Sequence, residues 1–153
     1  MYKRQVIGLL LMVLGFTMVI PIGLDWLDGS INWISFALSS FITVLIGSVV
    51  CLSCQNRIKV NLNIQQTFFL TTSVWLVLTI FGALPFILGE PNARFTDAFF
   101  EEMSGFTTTG SNILDSLDKL PRGLLLWRGL MQWFGGIGVV VVAMVFLPVL
   151  RVV

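Results

Sequence analysis

Thr107-Thr108-Thr109-Gly110-Ser111-Asn112 is the stretch whose residue types could do the most specialised chemistry. Three consecutive β-branched residues form helix poorly, and Gly110 admits backbone conformations that other residues resist. The spacing therefore predicts an extended run with a special geometry at the glycine. An extended backbone at membrane depth survives only where it lines a polar cavity. Its carbonyl oxygens can then replace the water shell of a dehydrated cation. The plain alternative is a Thr-rich turn at a membrane surface.

Other stretches offer less. Glu101 and Glu102 could form a carboxylate pair for acid–base work. Neighbours on a helix point in different directions, however, and no nucleophile or metal ligand lies near them in sequence. Their expected role, with Asp97, Asp115 and Asp118, is a mild attraction of cations to an outer mouth; a solvated surface would read the same way. Cys51-Leu52-Ser53-Cys54 has the spacing of redox or zinc sites, but no second pair and no histidine completes a tetrahedral site. Small apolar residues at a helix end explain it better. Gly136-Ile137-Gly138 lacks the third glycine of a dinucleotide fingerprint, Val141 standing there, so close helix packing is the better reading. With no histidine in the chain and no catalytic constellation, an enzyme is not expected.

The elements that position these residues follow from composition. Of 153 residues, 56% are hydrophobic and 11% charged, and the mean hydropathy is +0.94. Soluble domains carry about 25% charged residues, so this chain is built for lipid. Nine Lys and Arg against eight Asp and Glu give a net charge of +1, which argues against nucleic acid as a partner. Four stretches are free of charge: Gln5 to Leu24, Ile31 to Cys54, Thr67 to Gly89 and Gly129 to Val149. Each reaches the roughly 20 residues that a helix needs to cross the hydrocarbon. The first is too long for the apolar region of a signal peptide and is followed by Asp25-Trp26-Leu27-Asp28 rather than a cleavage pattern, so it is read as an uncleaved span.

Basic residues set the orientation. Lys3 and Arg4 precede the first span, Arg57 and Lys59 separate the second from the third, and Arg151 follows the fourth. The loop between spans one and two holds Asp25 and Asp28 without Lys or Arg. Both termini are therefore expected in the cytoplasm, with Trp26 and Trp33 at the outer interface.

The connection from Glu90 to Arg128 is too long for an idle loop. Phe95-Thr96-Asp97-Ala98-Phe99-Phe100-Glu101-Glu102-Met103-Ser104-Gly105-Phe106 reads as a short helix, with Thr96 or Asp97 capping its start, Asp97 complementing its dipole and Gly105 placed to end it. Nine or ten residues cover about half the hydrocarbon at about 1.5 Å each. The stretch from Leu114 to Gly123 returns the chain to the surface and ends in turn residues. Half-helix, extended stretch and return make a re-entrant loop over about 90–123. Arg128, at the outer end of the fourth span, can snorkel to the interface.

These residues also resemble a known family. Ser104-Gly105-Phe106-Thr107-Thr108-Thr109-Gly110-Ser111 is similar to the first selectivity-filter loop of the Trk/Ktr/HKT superfamily of potassium transporters. Gly82-Ala83-Leu84-Pro85-Phe86 resembles the end of the preceding helix in bacterial Trk members, and Thr96-Asp97-Ala98-Phe99-Phe100-Glu101 their pore helix. Leu120-Pro121-Arg122 and Gln132-Trp133-Phe134-Gly135-Gly136-Ile137-Gly138 resemble the opening of the next helix. The resemblance covers essentially the whole chain, and it offers Arg128 a pairing with Glu101 or Glu102 as the alternative to the interface.

The resemblance implies an all-α polytopic membrane protein, with residues 1–65 as an extra helix pair and 66–153 as one helix–pore loop–helix repeat of four. It implies K+ as the transported ion, with Thr107, Thr108, Thr109, Gly110 and Ser111 lining the filter and the carbonyls of Thr108 and Thr109 as its K+ contacts. It further implies a bacterial inner-membrane location, a homodimer of the full-length subunit and a cytosolic NAD/ATP-binding regulatory partner, with no cofactor in this chain. The sequence ends soon after Leu147-Pro148 without a polar tail, so a truncated or split product is expected. One loop cannot encircle an ion, so conduction would need the other repeats from another chain or from self-assembly. A non-conducting assembly protein or inert remnant is the alternative.

Overall fold

The computed structural model describes residues 2–54, 63–114 and 117–150, the side chains of 2, 3, 117 and 145–150 apart. Arg57, Lys59, Asp115, Arg151 and the Lys3 side chain, which carry part of the orientation and mouth-charge expectations, lie outside the described residues. Among those residues there are helices and no strands. In order they are α1 (Tyr2–Thr17), α2 (Val19–Leu27), α3 (Trp33–Leu52), α4 (Ile64–Gly82), α5 (Leu84–Leu88), α6 (Phe95–Phe106) and α7 (Arg122–Leu150), with a 3₁₀ turn at Leu117–Lys119.

Four helical stretches are long and apolar enough to cross a bilayer: Arg4–Leu27, Trp33–Leu52, Ile64–Leu88 and Arg122–Met144. The protein is thus a multi-pass membrane protein, as the charge-free stretches predict. The side chains agree. Phe41, Phe69, Trp133 and Met144 are 66%, 72%, 64% and 67% exposed, an outward apolar surface that lipid accepts and water would not.

Two of the four spans are broken where the sequence reading had them continuous, and proline is the reason. Pro21 offers no N–H to the carbonyl of Thr17, and the ladder lapses at Met18, between α1 and α2. Pro85 denies Phe81 its partner in the same way, and the third span breaks at Ala83. Phe86 N–H bonds Ala83 instead of Gly82, and the freed Gly82 carbonyl accepts from the indole Nε1 of Trp127 at 3.0 Å. A broken helix in lipid needs such a substitute. Trp127 is fully buried and meets Phe36 edge-on, with ring centroids 6.1 Å apart.

The first two spans form an antiparallel hairpin with small residues at the seam. A Cβ on Gly8 would stand 2.8 Å from the Gly47 carbonyl oxygen, so the two backbones touch there. Further along, the Ser40 hydroxyl donates to the Gly15 carbonyl at 2.7 Å. Buried Ser39 and Thr43 donate to carbonyls four residues back, which satisfies them without leaving their own helix. Cys51, in the last turn of α3, and Cys54, just past it, are free thiols, and Cys54 is buried.

The fourth span starts earlier than its charge-free stretch. Arg122, Gly123 and Arg128 all lie inside α7. Gly123, expected in a turn, belongs to the first helical turn instead.

Candidate functional site

α6 runs over Phe95–Phe106, the stretch that reads as a short helix in the sequence. Its N-cap is Arg94, in extended conformation and with no side-chain cap bond; Thr96 and Asp97 fall inside the first turn and do not cap. Asp97 still complements the positive end of the helix. Twelve residues at about 1.5 Å each make about 18 Å, short of a crossing.

Its other end departs further from expectation. Gly105 does not end the helix, which runs through Phe106 to a C-cap at Thr107, φ −82° and ψ 3°. Thr107 is curled rather than extended. The residue in the left-handed region is Thr108, φ 57°. Its N–H bonds Gly105 at 3.0 Å, and the N–H of Thr109 bonds Ser104 at 3.0 Å. That is a Schellman ending, with threonine where glycine is usual. Gly110 takes φ 77°, the special geometry that the sequence predicts.

The turn sorts donors from acceptors. Thr107, Thr108, Thr109 and Gly110 all turn their N–H groups back onto Met103, Ser104 and Gly105. Among the described residues, the carbonyl oxygens of Thr107 to Gly110 accept no hydrogen bond. The hydroxyl of Thr107 bonds the Met103 carbonyl at 2.8 Å and lies 2.8 Å from that of Thr109. All four residues are exposed in this chain. The result is a cluster of four carbonyls with their dipoles unspent.

Ser111 behaves differently. Its carbonyl accepts from the Ser104 hydroxyl at 2.7 Å and from Arg128 Nη2 at 3.4 Å. It ties the returning chain to α6 and α7, as does Glu101, whose Oε2 accepts from the N–H of Ile113 at 3.1 Å. The other oxygen of Glu101 pairs with Arg128 Nε at 2.5 Å. Glu101 is therefore no mouth charge; its side chain is fully buried in an ion pair with Arg128, 16% exposed. Glu102 is also buried, facing Gly82, where a Cβ would meet its Oε1. That oxygen has no hydrogen-bond partner among the described residues. The solvated-surface expectation fails for both glutamates.

α6 is seated at the middle of its neighbours. Phe106 meets Trp75, near the midpoint of the third span, in an edge-on contact with centroids 5.2 Å apart. The Phe106 carbonyl lies so close to Gly135, near the midpoint of the fourth, that no side chain fits there. The glycine that matters for packing is thus Gly135. Gly136 and Gly138 have only ordinary contacts, to Thr108 at 4.0 Å and Trp75 at 3.6 Å. Among the described residues no group of three or more His, Cys, Asp or Glu is placed to hold a metal.

Comparison with known proteins agrees with the resemblance read from these residues. The chain is 40% identical over 151 residues to the Trk system potassium uptake protein TrkH of Salmonella typhimurium, covering 97% of this chain and 31% of that protein. It is 40% identical over 148 residues to the Trk system potassium uptake protein TrkI of Halomonas elongata, covering 97% and 30%. The crystal structure of the potassium transporter TrkH from Vibrio parahaemolyticus superposes with a TM-score of 0.87 at 36% identity, over 97% of this chain and 32% of that one. The chain therefore spans about a third of the length of these relatives. Residues 33–151 match the family model described as TrkH, cation transport protein, and the chain belongs to that family.

Proposed function

We propose that this chain supplies a helix pair, residues 1–65, and one helix–pore loop–helix repeat, residues 66–153, of a potassium uptake pathway. α6 enters the bilayer from the outer side and turns at Thr107–Gly110, whose carbonyls line the ion path; Thr108 and Thr109 are the principal K+ contacts. Ser111 closes the filter segment as its anchor. Transport is passage of a dehydrated ion with no covalent chemistry. The single observation that carries this reading is the sorting of the turn, with every N–H turned inward and four carbonyls left without donors. Such a surface is negative, and it suits a cation as it repels an anion.

One loop covers one side of an ion. An uncompensated ion in hydrocarbon costs on the order of tens of kcal/mol, so the pathway needs three further loops around it. They come from the rest of a transporter, the length by which the relatives exceed this chain. The subunit sits in a bacterial inner membrane with both termini cytoplasmic, the side on which Arg4 lies. As the resemblance implies, the assembled subunit pairs with a second copy and docks a cytosolic nucleotide-binding regulator.

The test is expression in cells that lack potassium uptake, with and without the remaining three repeats of a relative. Growth at low potassium is expected only with both parts. Gly110→Ser in that assembly forces a side chain onto φ 77° and is expected to lower the preference for K+ over Na+ by about tenfold or more, read by ion competition. Unchanged selectivity overturns the filter assignment. Absence of growth, with both parts shown to reach the membrane, supports the non-conducting alternative.

A further inference from the structure

Asp25 lies in the last turn of α2, at the end of the first span, where an acidic residue would ordinarily be solvated, yet it is fully buried. Its Oδ1 accepts from the backbone N–H of Gly123 at 2.7 Å, across 98 residues of sequence. Its Oδ2 accepts from Asn32 Nδ2 at 3.1 Å. The side-chain oxygen of Asn32 in turn accepts from the backbone N–H of Glu90 at 3.0 Å. One relay of hydrogen bonds thus links α2, α3, the end of the third span and the start of α7.

Each link has a local reason. Gly123 is in the first turn of α7, where N–H groups have no partner within the helix. The residue before α7 is Pro121, which has no capping hydroxyl or carboxyl, so Asp25 caps the helix from a distant segment. The fit leaves no slack. A Cβ on Gly123 would fall 2.3 Å from Asp25 Oδ2, and one on Gly89 would fall 2.7 Å from Asn32 Oδ1.

We propose that Asp25 and Asn32 form a positioning latch: the helix pair, which contributes no filter residue, fixes the separation of the outer ends of spans three and four and so holds the filter turn in register. The connection carrying α6 hangs between these two ends, and α6 is seated on Gly82 of one span and Gly135 of the other. A shift of either span moves one seat relative to the other. The effect on ion preference rests on the pore-loop reading above; the effect on the loop's backbone does not.

The polarity of the relay makes it testable. Glu90 N–H requires the oxygen of Asn32, which turns the amide NH2 toward residue 25 and demands an acceptor there. Asp25→Asn sets amide NH2 against amide NH2. Asn32→Asp sets carboxyl against carboxyl. The double variant restores every bond: Asn at 25 accepts from Gly123 and donates to 32, and Asp at 32 accepts from both 25 and Glu90.

Hydrogen exchange of the chain in nanodiscs of phosphatidylethanolamine and phosphatidylglycerol reads the outcome. Each single variant is expected to speed exchange about tenfold at Glu90 and Gly123 and also across 104–113, and the double variant to return all three to within about twofold of the parent. Asp28→Asn, which leaves the relay intact, serves as the neutral comparison. Unchanged exchange across 104–113 in the single variants, or no recovery in the double, overturns the latch. In the assembled transporter, K+ preference should fall and recover in the same pattern. If it does not while Gly110→Ser still lowers selectivity, the positioning role is wrong; if Gly110→Ser is silent too, the pore-loop reading fails and the exchange result alone decides the latch.

Discussion

The relay around Asp25 and the turn at Thr107–Gly110 treat polar groups in opposite ways. In the relay, Asp25 Oδ1 and Oδ2, both polar atoms of the Asn32 side chain and the N–H groups of Glu90 and Gly123 all have partners. At the turn, the donors are paired and four successive acceptors are not. The four carbonyls belong to exposed residues, so they remain accessible to a partner from outside the chain. The same chain that satisfies a carboxyl across 98 residues leaves these carbonyls open. The contrast separates structural polarity, which is closed on itself, from polarity kept available for a ligand.

The Glu101–Arg128 pair belongs to the closed kind although it lies beside the open turn, and breaking it should have the largest effect. Removing one partner of a buried pair typically costs about 3–5 kcal/mol, because the other charge is left uncompensated. Arg128→Met and Glu101→Gln should each lower the stability of the chain in mixed micelles by about 3 kcal/mol, measured by SDS-induced unfolding. The double variant should recover at least half of that loss. Single variants that cost under about 1 kcal/mol would place the pair among weak surface contacts, and Ser111 and Ile113 would then need another anchor.

What the sequence discloses follows the range of the interaction. The four spans and the existence of α6 depend on local composition, and both are readable from charge-free stretches and a helical pattern. The breaks at Met18 and Ala83 were signalled by Pro21 and Pro85, whose lost hydrogen bonds a hydropathy reading passes over. Gly105 is the expected end of α6 because glycine is the usual left-handed residue; nothing local marks Thr108 for that role. Glu101 and Glu102 read as mouth charges or solvated surface, and Asp25 as a loop residue, because their surroundings are distant in sequence; only the family resemblance offers Arg128 as a partner, and nothing local points to Gly82 or Gly123. Gly135 could have been singled out only by knowing that Phe106 meets it.

Thr108 offers a smaller test, on the open side of the comparison. A β-branched residue at φ 57° is rare, and a left-handed conformation costs roughly 1–2 kcal/mol for residues with a Cβ. Asparagine visits that region more readily. Thr108→Asn should therefore stabilise the chain by about 1 kcal/mol in the same unfolding measurement. Because the backbone carbonyl, not the hydroxyl, is assigned to the ion, the assembled transporter should keep its preference for K+. Lost selectivity with gained stability would show that the threonine side chain itself shapes the path.

The smallest effect is expected at the rim of the relay, where Arg122 faces Asp28 at 3.7 Å. The Arg122 side chain is 74% exposed, so the pair is screened by solvent and holds a long side chain for little return. Arg122→Gln keeps the helix start and the Gly123 N–H in place and should change stability by less than about 0.5 kcal/mol. Hydrogen exchange at Gly123 should likewise stay at the parent rate. A loss near that expected for Arg128→Met would mean that the outer end is held by charge rather than by the buried bonds of Asp25. In that case the division between a closed latch and an open turn would have to be redrawn around Asp28.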